Sequence, residues 1–138
     1  MTPQEFEQYV KDWFDAEGIH LKSYKSIINN KAGADDGVYE IDIDITYDAL
    51  GVEFRVLVEC KRHLNNIKRE VLQVLQEKLQ SIGAHKGIVC ATSDFQSGAL
   101  EYAKKHGIAC ITVAESRMLV QTRSADRQPV SQEYCNFF

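Results

Sequence analysis

Val38-Tyr39-Glu40-Ile41-Asp42-Ile43-Asp44-Ile45-Thr46-Tyr47 alternates without a break, and after Asp48-Ala49-Leu50-Gly51 comes Val52-Glu53-Phe54-Arg55-Val56-Leu57-Val58-Glu59-Cys60. Period-two alternation marks strands, and the intervening stretch ending in glycine makes the turn of a hairpin. Side chains of a strand point alternately to opposite faces. Glu40, Asp42 and Asp44 are therefore expected on one face, and Ile41, Ile43 and Ile45 on the other. On the second strand Val52, Phe54, Val56, Val58 and Cys60 share a side, and Glu59 and Lys61 take the opposite one. If both apolar rows enter one core layer, the acidic row, Glu59 and Lys61 emerge together. Closing the turn between Ala49 and Val52 sets Asp42 across from Glu59, and a slip of two residues would leave the faces unchanged.

Before the hairpin, Thr2-Pro3-Gln4-Glu5 has the form of a helix start, with Thr2 as cap, Pro3 in the first position and Glu5 completing a capping box. Phe6, Tyr9, Val10, Trp13 and Phe14 recur at helical spacing over residues 3–17, and Gly18 is a natural stop. A short extended segment is expected within Ile19–Ile28, then a turn-rich loop over Asn29–Gly37. Beyond the hairpin a helix runs from near Asn66 to Ile82, burying Ile67, Val71, Val74, Leu75, Leu79 and Ile82, and Gly83 ends it. Gly87–Ala91 reads as a buried strand. Ser93 or Asp94 caps a helix carrying Phe95, Ala99, Leu100 and Ala103, closed by Gly107. Ile108–Val113 is another buried strand, Met118–Thr122 a short edge strand, and the stretch from Arg123 onward has no period. Antiparallel strands first and alternating units later predict an α/β fold, a mixed sheet with helices on both faces. We read one domain over 1–138, with a core of about 3–122 and a tail of about 123–138.

A chain of 138 residues can bury a real core. No apolar run approaches the roughly 20 residues of a bilayer span, and the first residues lack the basic-then-apolar form of a secretory signal. A cytoplasmic protein without a membrane partner is expected. The four cysteines (Cys60, Cys90, Cys110, Cys135) form no C-x-x-C pair. Three of them sit in apolar runs, where a thiol behaves as a small hydrophobe. A net charge of −4 does not announce a nucleic-acid binder. Locally the balance differs, because Lys61, Arg62, Lys68 and Arg69 have no acid among them. That strip, with His63, is either a solvated loop and helix start or a surface for phosphate. His20, His85 and His106 show no ligand spacing, and Gln73, Gln76 and Gln80 lie toward the polar side of their helix.

Gathered carboxylates on adjoining strands repel one another, so stability alone gives no reason to place them there. A divalent cation gives one. Magnesium takes hard oxygen ligands, commonly one or two carboxylates plus waters and substrate phosphate. It polarises a phosphoryl oxygen and lowers the pKa of bound water, and a nearby ammonium offsets charge developing on phosphate oxygens. Asp42, Glu59 and Lys61 supply that set. The triplet Glu59-Cys60-Lys61 alone carries little weight, since E-x-K is expected by chance in roughly every second chain of this size. An acidic strand face is commonly just the solvated one. The weight comes from the triplet ending an apolar strand whose hairpin partner bears the acids.

Tyr39-Glu40-Ile41-Asp42, a variable turn, and Leu57-Val58-Glu59-Cys60-Lys61-Arg62 resemble the D…(D/E)xK core of restriction-endonuclease-like proteins, especially the Mrr-like branch of the PD-(D/E)xK superfamily. Gly83-Ala84-His85-Lys86-Gly87-Ile88-Val89, then Ala91-Thr92-Ser93-Asp94-Phe95, Ala99, Ala103 and Gly107-Ile108 are similar to the second half of that branch, and Phe6-Glu7 to its first helix. The resemblance covers about residues 4–113. It implies an αβββαβ core, Mg2+ dependence with Mn2+ as a substitute, and a DNA substrate. Carried over residue by residue, Asp42 and Glu59 are metal ligands, Lys61 is the catalytic lysine and Glu7 the first-helix acid. Glu5 and Glu7 flank the apolar stripe on opposite sides, so Glu5 stays a rival to Glu7. Mrr-like sequences have a glycine-rich approach to the aspartate, whereas Asp35-Asp36-Gly37 lies several residues early here, which leaves Asp44 and Asp36 as rivals to Asp42. Arg62, His63, Lys68 and Arg69 are candidate phosphate contacts.

The function expected is metal-dependent endonucleolytic hydrolysis of DNA, of restriction or repair type. Two sites in a homodimer, or a separate specificity subunit, would complete it. The rival expectation is a catalytically inactive module that keeps the fold to bind nucleic acid or a protein. A nucleotide-binding domain finds no support, for no glycine-rich phosphate loop is present.

Overall fold

The alternating stretch is the second strand of a six-stranded sheet in a computed structural model of the protein, which describes residues 1–115 and 117–123. Helix α1 (Pro3–Gly18) leads into β1 (Lys22–Ala34), β2 (Gly37–Ala49) and β3 (Val52–Lys61). Then follow α2 (Arg69–Ile82), β4 (Lys86–Ala91), α3 (Ser97–His106), β5 (Ala109–Ala114) and β6 (Arg117–Thr122). The strands lie in chain order; β3–β4 and β4–β5 pair in parallel and the other neighbours antiparallel. Parallel neighbours need crossovers, and α2 and α3 provide them. The mixed α/β sheet is the one expected. Cys135 and the tail beyond Arg123 lie outside the described residues.

Each face of the sheet has its own core. On one, Phe6 and Val10 of α1 pack against Ile43, Ile45, Val56, Val58, Cys90 and Ile111. On the other, Leu72, Leu75 and Leu79 of α2 with Ala99 and Ala103 of α3 cover Ile41, Leu57, Val89, Ala91 and Cys110. Thr2 caps α1 as expected, its hydroxyl accepting from the Glu5 N–H while Glu5 Oε1 accepts from the Thr2 N–H. Gly18 acts differently from expectation. The helix does end at Gly18, but Ile19 follows in right-handed geometry and no left-handed cap forms; the glycine instead admits the Tyr24 ring, which a Cβ there would overlap.

Several boundaries need correction. The expected loop over Asn29–Gly37 is mostly strand: β1 pairs with β2 from Lys22↔Asp48 to Ala34↔Gly37, leaving only Asp35 and Asp36 between them. Its asparagines, glycine and lysine are weak strand formers, but pairing to an adjacent strand overrides such preferences. The α2 helix starts at Arg69 because Ile67 is occupied in a bridge to Phe95. Its buried stripe is Leu72, Leu75 and Leu79, while Val74 is 52% exposed. Gln96, not Ser93 or Asp94, precedes α3, and it makes no side-chain cap.

The most consequential departure is on β2. Ile43 and Ile45 face the α1 layer as one row, but Ile41 packs in the α2–α3 layer, so the three isoleucines do not share a face. The neighbouring strand turns over at the same level. Ile28 pairs with Ile43 and Asn30 with Ile41, and Asn29 between them has φ 52°. Asparagine is among the few residues that visit this left-handed region readily. Here too the β2–β3 ladder stops, at Ile43↔Val58. Beyond that point β2 continues paired with β1 and β3 with β4, up to Lys61↔Ala91. The sheet forks.

Candidate active site

Asp42 and Glu59 stand on the two sides of this fork. Asp42 Oδ2 accepts from the backbone N–H of Cys60 at 2.8 Å, a side-chain acceptor supplied where the strand ladder has ended. Glu59 is 15% exposed, with Oε1 3.6 Å from Lys61 Nζ and Oε2 3.4 Å from Lys78 Nζ. Lys78, from α2, also donates to the Glu40 carbonyl at 3.0 Å, so it spans from β3 to β2. Glu59 and Lys61, with Glu70, Val71 and Val74 of α2, line a cleft of about 160 Å³.

On the other side, α1 brings Glu7. Its Oε2 is buried without a hydrogen-bond partner. Burial, then the charges of Asp42 and Glu59, push the Glu7 carboxyl above the usual carboxylate range. Glu59 is pushed up as well, by burial first and then by Asp42, with Lys78 and Lys61 pulling the other way. Carboxyls shifted by burial together with a neighbouring charge cluster at functional sites. Among the described residues no three His, Cys, Asp or Glu side chains form a ready-made metal cage. Magnesium does not need one, for two carboxylates completed by water and phosphate suffice. Two raised carboxyls, one of them with an orphaned acceptor oxygen, fit a hard cation, whose charge would relieve both.

The remaining candidates are dispersed. Asp44 does not enter the cleft: Arg55 Nε and Nη2 hold its two oxygens at 3.0 and 2.6 Å, and Asn30 Nδ2 donates to it at 2.9 Å. Asp36 accepts from the Tyr39 hydroxyl at 2.6 Å and from Ser81 at 3.1 Å, at the tip of the β1–β2 ribbon. Glu5 is the capping residue, which leaves Glu7 as the helix acid near Asp42 and Glu59. In the basic strip, Arg62 Nε donates to the Met1 carbonyl and Arg69 Nε to the Gly98 carbonyl. The His63 N–H is pinned to Thr92 Oγ1, while the His63 and Lys68 side chains are exposed. Gln76 and Gln80 line a separate recess with His85 and His106. Lys78 and Glu70 were not foreseen. Lys78 adjoins Leu79 at the edge of the buried stripe, a position that sequence periodicity leaves ambiguous between core flank and solvent.

Residues 1–127 match the family model of the Mrr catalytic domain, described as a restriction endonuclease. Over 104 residues the chain is 32% identical to the type IV methyl-directed restriction enzyme EcoKMrr of Escherichia coli (strain K12), covering 75% of this chain and 33% of that enzyme. The chain thus spans only 33% of the length of the curated relative it matches. Among solved structures it is similar to AF1548, a protein of unknown function, with a TM-score of 0.60, 17% identity, and 76% of this chain and 56% of the other covered. It is also similar to the DNA modification-dependent restriction endonuclease AspBHI, with a TM-score of 0.51, 14% identity, and 84% and 34% covered. These structural likenesses concern the fold. With residues 1–127 of its 138 matched by the family model, the chain belongs to the restriction endonuclease family, in the Mrr-like branch of the PD-(D/E)xK fold.

Proposed function

We propose that this chain is the catalytic unit of a metal-dependent endonuclease that hydrolyses DNA phosphodiester bonds. The observation that carries the reading is the fork, where Asp42 on β2 and Glu59 and Lys61 on β3 lie beyond the last β2–β3 pair, with the unpartnered Glu7 carboxyl near enough to feel both acids. Asp42 and Glu59 are the residues to hold Mg2+, with Mn2+ as a substitute. The ion would polarise the phosphate and lower the pKa of a bound water. Asp42 is oriented by the Cys60 N–H, which fixes the direction of its free oxygen. Lys61, 29% exposed and ion-paired to Glu59, presents an ammonium that offsets charge developing on the phosphate oxygens. Glu7 leaves an acceptor open on the α1 side. Exposed His63 and Lys68, in the segment between Lys61 and α2, suit the DNA backbone better than Arg62 or Arg69, which are engaged elsewhere. A homodimer would bring two such sites to two strands, and a specificity subunit is the other arrangement.

The test is cleavage of supercoiled plasmid with Mg2+ or Mn2+. The printed names of two relatives, methyl-directed and modification-dependent, make methylated and unmethylated DNA the pair to compare. Lys61→Ala and Glu59→Gln should each lower cleavage on the order of 10²-fold or more while the fold persists. Cleavage by Lys61→Ala at the rate of wild type would reject the assignment. A second reading is favoured by Lys78 sitting against Glu59: a nuclease-fold module without catalysis that binds nucleic acid or a protein. Calorimetry separates the two, because an inactive relic shows no saturable Mg2+ binding that depends on Asp42 and Glu59.

A further inference from the structure

We propose that Lys78 is the built-in counter-cation of the metal-free site, which a divalent ion entering between Asp42 and Glu59 must displace from Glu59. The inference rests on the metal-binding reading above and concerns a residue that reading does not use.

Both oxygens of Glu59 face an ammonium, but the two lysines differ in origin. Lys61 lies two residues along the same strand, 3.6 Å from Oε1. Lys78 reaches in from α2, is 16% exposed, and stands 3.4 Å from Oε2. Its other contact, 3.0 Å to the Glu40 carbonyl, ties it to β2 just past the point where β2 and β3 separate. One ammonium therefore bridges the fork beside the carboxylate that a metal would use. Three carboxylates, of Glu7, Asp42 and Glu59, gather here, and the two ammonium groups on Glu59 stand against them. A divalent ion arriving with both lysines in place would turn a deficit of positive charge into an excess, in a setting less polar than water where like charges repel strongly. Turning Lys78 away from Glu59 restores the balance. Lys61 has the catalytic duty and only a contact with Oε1, so Lys78 is the group to yield. The Glu40 carbonyl gives its ammonium a resting place when Glu59 lets go.

The experiment is calorimetric titration of Ca2+, which avoids turnover, into the whole chain as wild type, Lys78→Met, Lys78→Arg, Asp42→Asn and Lys104→Met. Lys104, in the last turn of α3, controls for a general change in net charge. Lys78→Met should bind Ca2+ about tenfold more tightly than wild type, with Lys78→Arg close to wild type and Lys104→Met within about twofold. If Lys78→Met does not fold, Lys78→Gln removes the same charge and keeps a donor for the Glu40 carbonyl. Weaker or unchanged affinity on removing the charge overturns the inference, and so does equal tightening in Lys104→Met. A lysine that is only a structural strut predicts weaker binding. Binding that is lost in Asp42→Asn but unaltered in Lys78→Met leaves the metal site standing and removes this inference alone. Absence of saturable binding in every variant removes both.

Discussion

Asp42 and Asp44 are two residues apart on one strand, yet they do different work. Asp44 is 5% exposed and accepts three hydrogen bonds, two from Arg55 and one from Asn30. Asp42 accepts one, from the Cys60 N–H, among other acids. Breaking a buried ion pair by removing one member strands the other. We expect Asp44→Ala to cost about 3 kcal/mol in urea unfolding, toward the low end for such pairs because Arg55 is 27% exposed and can rehydrate. The same substitution should leave Ca2+ binding unchanged, and loss of binding would return Asp44 to the site. The sequence left the two aspartates as alternatives for a physical reason. Strict alternation treats them as equivalent, and what separates them is the turnover of the ribbon opposite Asn29, one backbone angle with no period of its own.

At the scale of elements, the hairpin, both crossover helices and the buried strands were legible, because each carries a period that its partners reinforce. The α2 face was not. Val71, Val74, Leu75, Leu79 and Ile82 satisfy helical spacing as well as Leu72, Leu75 and Leu79 do, and only the packed surface chooses between them. The helix sits against the sheet and α3 on its leucine side, and turns Val74 toward the cleft that contains Glu59 and Lys61. Leu72→Ala should therefore cost about 2–5 kcal/mol, and Val74→Ala no more than about 0.5 kcal/mol. Equal losses in chemical denaturation would mean that the first stripe is the buried one. The β1 segment reads as a loop for the converse reason. Its asparagines, glycine and lysine signal a turn, and what makes them a strand is the β2 partner they run beside.

For the molecule as a whole, the fork gathers acids at a cost in stability, and pH exposes that cost. Asp15 is the stabilising case: burial raises its carboxyl, but hydrogen bonds from Lys11, Ser26 and Tyr24 outweigh this and hold it below the usual range. A depressed folded value contributes stability above the unfolded pKa of about 4, lost as pH falls through the depressed value. Glu59 and Glu7 have the opposite sign. Their raised folded values penalise the metal-free protein at neutral pH. The penalty is lifted as pH falls through those values, and is gone below about pH 4. Glu59→Gln removes one source of the strain, since a neutral amide needs no counter-charge. In metal-free buffer this variant should melt higher than wild type at about pH 7, with the advantage gone near pH 4. Asp15→Asn should melt lower than wild type at neutral pH and converge with it in acid. Added Ca2+ should close the neutral-pH gap between wild type and Glu59→Gln, because a bound ion supplies the charge the site lacks and stabilises only the protein that holds it. Thermal melts of the three proteins across this pH range, with and without Ca2+, check each step. A Glu59→Gln variant less stable than wild type at neutral pH without metal would mean that Lys61 and Lys78 already satisfy the site, leaving a cation nothing to relieve.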